Sequence, residues 1–574
     1  MSDHEPHSFI RKYVFSLDHK VIGVQYIVTA IFMALVAAGL AALIRIQLTW
    51  PDSGLMEPEN YLAVVTMHGT LMIFFVVSLA LVSGFGNLLI PLQIGARDMA
   101  YPFLNMLSFW TVVPACVIMI LSFFVPGGAA ASGWTAYPPL SALEDAVPGS
   151  GMGQTLWLVA MALFIVSFTM SGLNYVVTTL NMRAEGMTMR RMPLNVWMFF
   201  VSAVLGLLAF PALTAAAVLL LLDRHLGTSF YLPEGIVLGQ TADPETGAMV
   251  ANVLEHEGGT PLLFQHLFWF LGHPEVYVIV LPAIGVAFEV LSTHARKRPF
   301  GYRPTVWCLI VIAFLSMIVW GHHMFASGMN PYLGEYFSIA TVLITLPFAV
   351  VGVNLLATLW KSRIRTTTAM YFGLGLVSAI GLGGFGGLFL GTATSDIYLH
   401  ETAFVVGHFH LMIGTVTFFG IFAGIYHWFP KMFGRVMNEG MGKLHFWMTC
   451  PAMLTIWIMM HFQGMGGLLR RTFDHRAYEF AHGPAKLDLT ITALGFVLMA
   501  GQLVFLWNFF RSAFRGEKAA DNPWESTTLE WTTSSPPGHG NWKGELPVVT
   551  RDPYDYGPAE DGADFAPQGE LRTS

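Results

Sequence analysis

Twelve apolar runs, each about the 20 residues a helix needs to cross a bilayer, leave this chain little choice of fold. They lie near 21–44, 62–90, 101–125, 154–180, 195–222, 262–292, 304–326, 336–360, 370–391, 403–428, 445–466 and 488–511. Soluble domains carry roughly 25% charged residues; here the share is 11%, against 54% hydrophobic. The expected class is therefore an all-α integral membrane protein with about twelve transmembrane helices in one bundle. Three parts are expected: a cytoplasmic N-terminal segment 1–20, a twelve-helix domain 21–514, and an acidic, Pro/Gly-rich tail 515–574.

Charge sets the orientation. Basic residues gather in alternate loops, at Arg97, Arg183, Arg190 and Arg191, Arg296 to Arg303, Lys361 to Arg365, and Lys431 and Arg435. The loop from Gly127 to Gly153 between two such loops has none. By the positive-inside bias both termini are cytoplasmic, in a multi-pass protein of a bacterial-type inner membrane. Arg470, Arg471 and Arg476 break the bias in an outer loop, which suggests that something anionic holds them. The tail carries 5 Lys/Arg and 11 Asp/Glu from Arg515 on and reads as a surface extension, partly disordered at its end. Three scattered cysteines exclude a disulfide framework or a thiolate metal site. There is no phosphate-binding loop or dinucleotide fingerprint, and the Gly383–Gly387 run reads as a close helix contact. No nucleic-acid partner is indicated.

Chemistry enters with ionisable residues inside these runs, where each is expensive without a function. His273, Glu275 and Tyr277 fall within five residues of one run. On a helix His273 and Tyr277 share a face, while Glu275 points about 200° round. They read as a metal ligand, its neighbour at the same metal, and a proton carrier. His322 and His323 are adjacent, so both reach one metal only if it lies between their directions. With His273 they make a three-imidazole set suited to copper. His408 and His410, two apart, point to nearly opposite faces and suit two haems flanking one helix. His68 offers a second axial ligand, and His400 with Glu401 a hard-cation site.

The set His68, Gly272-His-Pro-Glu-Val-Tyr277, Trp320-Gly-His-His-Met-Phe325, His400-Glu-Thr402 and Val406-Gly-His-Phe-His410 resembles the catalytic subunit of haem–copper terminal oxidases. The resembling branch carries glutamate in the first motif and includes cytochrome c and quinol oxidases. The resemblance covers about Asp18 to Pro537. It implies a bundle enclosing two haems, of A type by expectation, and one copper. His68 and His410 resemble the axial pair of the low-spin haem and His408 the ligand of the high-spin haem. His273, His322 and His323 resemble the copper ligands, with Tyr277 joined to the first. Arg470 and Arg471 match the pair that holds haem propionates, Arg45 a low-spin haem contact, and Trp269 a further cofactor-binding residue. His400 and Glu401 match an outer magnesium site, where the family more often has Asp at the second position.

The implied activity is reduction of dioxygen to water with proton uptake and pumping, iron, copper and Tyr277 together supplying the electrons. The implied partners are a subunit II bearing the electron-receiving site, a subunit III and small subunits, cytochrome c or quinol, dioxygen and lipid. Asp98, Asn87 and Asn105 resemble the proton path that ends at Glu275. One departure matters. The family's second path runs through a lysine in the eighth span, but the position 28 residues beyond His323 is Val351, Phe348 and Phe288 stand where hydroxyls are expected, and no lysine occurs between Pro304 and Trp360. That path reads as closed, leaving the Asp98 route alone, a route displaced toward Asn354, or a shifted chemistry. Nitric oxide reduction on the same scaffold is the alternative function, although it does not need Tyr277. A solute transporter with structural histidines is the reading from a different class.

Overall fold

The computed structural model describes residues 8–144, 146, 149–242, 249–254, 258–557 and 564–569. The start of the N-terminal segment, 1–7, and parts of the tail, 558–563 and 570–574, lie outside the described residues. Twelve principal helices follow the apolar runs: α1 (His19–Thr49), α2 (Pro58–Ile94), α3 (Pro102–Leu121), α4 (Met152–Asn181), α5 (Leu194–Leu226), α6 (Pro261–Ala295), α7 (Tyr302–Ser316), α8 (Pro331–Leu359), α9 (Thr368–Leu390), α10 (Ala403–Phe433), α11 (Glu439–Met465) and α12 (Asp488–Arg515). Among the described residues ten of these, α12 taken with the short turns before it, are long and apolar enough to span a bilayer; α7 is shorter, and α11 carries more polar residues.

The helix ends follow local chemistry. Proline opens α2, α3, α6 and α8, where its missing N–H costs nothing. Asp18, Thr260, Thr367, Thr402 and Asn438 cap α1, α6, α9, α10 and α11 by accepting a first-turn amide. α2 and α6 are wrapped by the others: 94% and 89% of their most apolar windows are buried, against 22% in α1 and α12. Those two helices carry His68, Ser78, His273, Glu275 and Tyr277, so the ionisable residues sit on the bundle's axis. The outer helices expose Phe314, Leu346 and Trp507, as a lipid-facing surface requires.

Two expectations are corrected, and one element is added. The run 304–326 is not one helix: α7 stops at Ser316, and a separate 3-10 turn, Trp320–Met324, carries the histidine pair. The segment between α5 and α6, which no apolar run covers, contains an antiparallel hairpin, β1 (Ile236–Ala242) with β2 (Met249–Leu254). The tail, read as a surface extension, inserts Leu529, Glu530, Trp531 and Tyr554 into the bundle. Gly95, at φ 80°, makes room for it: a Cβ there would stand 3.3 Å from Leu529 Cδ1.

Candidate metal centre

The 3-10 turn answers the question that adjacent histidines pose. Tighter winding and the chain reversal after α7 let His322 and His323 converge with His273, whose α6 segment faces the turn. One ligand nitrogen from each lies within 4.8 Å of the others. Ring centroids stand 4.5 Å (His273–His322), 5.6 Å (His273–His323) and 4.2 Å (His322–His323) apart. Two of the imidazoles are oriented from behind. His322 Nδ1 is 2.8 Å from the hydroxyl of Thr341 on α8, and His323 stacks on Trp269 at 3.9 Å and 7°. The Trp269 indole N–H in turn donates to the Tyr137 hydroxyl. His273 Nε2 is buried with no hydrogen-bond partner in the protein. Three neutral nitrogens with fixed rings suit a borderline divalent metal. We expect Thr341→Val to weaken metal retention by roughly 10-fold or more, measured by metal content after dialysis; full retention would remove Thr341 from this role.

Tyr277, one turn along α6, packs its ring 5.0 Å from that of His273. On its other side stands Phe348, 6.4 Å away. Val351 and Phe288 are buried apolar neighbours on the same helices, and Asn354 is occupied with Thr305 Oγ1 at 2.9 Å. Among the described residues, Phe348, Val351 and Phe288 place no hydroxyl or amine on this line.

His408 and His410 diverge as their spacing demands. His408 Nδ1 meets the Gly383 carbonyl on α9 at 2.9 Å, and Gly386 allows the approach, since a Cβ there would lie 3.1 Å from that nitrogen. His410 faces the other way and stacks on Trp457 of α11 at 4.1 Å, with its Nδ1 2.9 Å from Val406 O. His68 Nδ1 meets Ala37 O on α1 at 2.9 Å. In all three the outer nitrogen donates to a backbone carbonyl, which leaves Nε2 unprotonated and able to bind a metal. His68 lies within electrostatic reach of His410, and His408 of His322 and His323. The layout is one facing pair of imidazoles, and one single imidazole beside the triad.

The outer-loop residues are placed less simply. Arg470 makes a two-point pair with Glu401, its Nε 2.8 Å from Oε2. Burial works to raise the Glu401 carboxyl, but Arg470 and Arg471 bring it down to about 2. His400 Nδ1 pairs with Asp396 at 2.8 Å. His400 and Glu401 therefore turn to different partners, and the triad is the metal-ligand group found among the described residues. The Arg471 guanidinium lies against Gly133 of the loop after α3. Arg45 donates at 2.8 Å to Asp488, which His475 and Gln463 also contact. Asp488, Thr341 and Trp457 were not visible in the sequence, since each works through a partner distant in the chain, and Asp396 acts four residues from His400.

Glu275 is buried on the face of α6 away from His273. The Ser78 hydroxyl donates to its Oε1 at 3.3 Å, and Oε2 has no protein partner. Asn87 donates to Ser83 O and to the Tyr175 hydroxyl at 2.8 and 2.9 Å. Asn105 is buried with both side-chain polar atoms unpaired, as are Asn87 Oδ1 and Ser171 Oγ. Asp98 lies outside the helices, in the loop between α2 and α3, half-buried and accepting from Met99 N at 2.7 Å. Burial pushes its carboxyl up to about 7, from an ordinary value of 3.8.

A family model described as cytochrome C and quinol oxidase polypeptide I matches residues 21–497. A protein of Bradyrhizobium diazoefficiens named alternative cytochrome c oxidase subunit 1 is 45% identical over 570 residues, covering 99% of this chain and 94% of its own. Proteins named cytochrome c oxidase subunit 1 from Thermostichus vulcanus and Bacillus subtilis are 42% and 37% identical, covering 95% and 94% of this chain and 92% and 82% of theirs. A solved structure of a heme-copper terminal oxidase dimer superposes with a TM-score of 0.68 over 87% of this chain and 85% of that one; at 18% identity it speaks to the fold.

Proposed function

The chain belongs to the family of cytochrome c and quinol oxidase polypeptide I, and from that premise we propose how its residues reduce dioxygen. It is the catalytic subunit of a haem–copper terminal oxidase, of the cytochrome c oxidase type. The nitric oxide alternative is not favoured by these relatives. The observation that carries the detailed assignment is the convergence of His273, His322 and His323 beside Tyr277.

In the proposal the triad holds copper, His408 the high-spin haem iron, and His68 with His410 the low-spin haem iron, the haems being of A type. The donor sets fit: the triad nitrogens converge, and each of the other three imidazoles keeps Nε2 free while its Nδ1 is tied to a carbonyl. When bound, these groups supply dioxygen binding and electron storage. Trp269 and Thr341 hold ring orientation. Arg470 and Arg471 would hold the propionates, Arg45 would contact the low-spin haem, and Tyr277, bonded to the His273 ring in this proposal, would supply one electron and its phenolic proton. A hard cation at His400 would compete with Arg470 for Glu401, and magnesium there belongs to the proposal on that condition. Electrons come from cytochrome c through a subunit II, with a subunit III and small subunits alongside. The two termini and the tail lie on the cytoplasmic side.

Protons enter at Asp98, cross the Asn87 and Asn105 region and reach Glu275, whose free Oε2 passes them on or out. Buried polar atoms without partners cost about 1–3 kcal/mol each unless solvated, so the unpaired Asn105, Asn87 and Ser171 groups mark this track as hydrated. Its pumping role rests on this single route, since the Val351 side is closed. The folded Asp98 binds a proton that the unfolded chain releases between pH 3.8 and about 7. Its contribution to stability therefore falls as pH rises across that window and levels off above it. Turnover is expected to fall as the protonated fraction drops through pH 7. Asp98→Asn should run roughly 10-fold slower or worse and lose that inflection; an unchanged pH profile would reject Asp98 as the mouth.

A pyridine haemochrome spectrum with metal analysis tests the whole assignment. Two haems and one copper per chain are expected, and a chain isolated without porphyrin in its native membrane overturns it.

A further inference from the structure

The tail-side end of α6 carries a second buried acid that the oxygen chemistry does not use. Glu289 is 1% exposed. The Tyr554 hydroxyl, from the tail, donates to its Oε1, and that hydroxyl itself accepts from Leu194 N at 2.8 Å. The Asn195 amide also reaches the carboxylate. From Asn195 the chain of bonds continues: its Nδ2 donates to Gln93 Oε1 at 2.9 Å, and Gln93 Nε2 donates to Glu530 Oε1 at 3.0 Å. Trp428 Nε1 donates to the same oxygen at 3.2 Å. Glu530 is fully buried and its Oε2 has no hydrogen bond. Two carboxyl groups thus end one hydrogen-bonded chain that joins α2, α5, α6 and the tail, within electrostatic reach of each other.

The charged and titratable groups facing them are few. Tyr554 and, from α7, Tyr302 face Glu289. Lys431 of α10 faces Glu530, with its Nζ held by Asp521 O at 2.9 Å and Thr533 O at 2.8 Å. One ammonium does not balance two carboxylates in a buried interior, because each carboxylate, within electrostatic reach of the other, disfavours the other's ionisation. We propose that Glu289 and Glu530 form a proton-binding site that holds one exchangeable proton between them, separate from the Asp98 route. Burial raises the Glu530 carboxyl and keeps the Tyr554 hydroxyl protonated, so the tyrosine stays a donor. Exchange with water runs past Lys431, whose partners Asp521 and Ser534 are exposed. Glu289 lies twelve residues along α6 from Tyr277, about 18 Å on a helix. An electron added at the metal centre therefore favours loading of the pair.

Infrared spectra of the purified oxidase complex test this, with pH titrations of the oxidised enzyme and reduced-minus-oxidised differences. The expected result is a protonated-carboxyl band that both Glu289→Gln and Glu530→Gln remove or shift, with haem spectra intact. Tyr554→Phe, which deletes a donor to Glu289, should shift the same band while keeping both acids. A carboxyl spectrum identical in wild type, Tyr554→Phe and either glutamine variant overturns the site. Loading on reduction rests on the oxidase assignment, whereas the shared proton does not. A band that titrates in the oxidised protein but ignores reduction keeps the site and removes the redox link.

Discussion

Tyr277→Phe is expected to stop dioxygen reduction, with turnover falling by ~10³-fold or more, while the chain keeps its haems and copper. The ring is what packs against His273 at 5.0 Å and Phe348 at 6.4 Å, so phenylalanine retains the contacts and the volume. The hydroxyl is lost, and with it the proposed bond to the His273 ring. That hydroxyl is the phenol beside the imidazole triad, able to yield an electron and a proton together. Phe348 and Val351 offer no relay in its place. The measurement is oxygen consumption alongside haem and copper content. Substantial turnover in a fully loaded variant would remove Tyr277 from the chemistry and reopen nitric oxide reduction as the natural reaction of the centre.

Glu275→Gln is the second large effect. Glutamine fits the same space and can still take the Ser78 hydrogen bond, made at 3.3 Å in the native chain, so folding and metal content should survive. It cannot shuttle a proton. With the Val351 route closed, as proposed, no parallel path compensates, and turnover should fall by about 10²- to 10⁴-fold with pumping lost. Stopped-flow proton uptake with reconstituted vesicles reads both. Normal uptake and pumping in Glu275→Gln would mean that protons reach the centre without this residue, and the Asp98 track would fall with it.

These two expectations differ in what made them legible. Glu275 and Tyr277 stood out because ionisable groups are rare in apolar runs, and helix periodicity separated their directions before any coordinates. The opposed directions of His408 and His410 were likewise readable from a spacing of two. His322 and His323 were harder, since adjacent residues on an α-helix diverge by about 100°. The answer was the end of α7 at Ser316 and a 3-10 turn, which apolar runs do not disclose. Arg470 showed itself as a topological violation, but its pairing with Glu401 depended on a fold that brings two outer loops together.

The sequence by itself determined the spans, their rough limits and the imidazoles that could bind metals, because hydropathy and helical period are local and additive along the chain. The tertiary structure decided which groups meet: Thr341 behind His322, Trp269 on His323, Gly383 behind His408, and a tail that buries Glu530 beside α6. Such contacts join residues tens to hundreds apart, and no short-range pattern encodes them. They are selected by packing and by the cost of leaving a buried polar group without a partner.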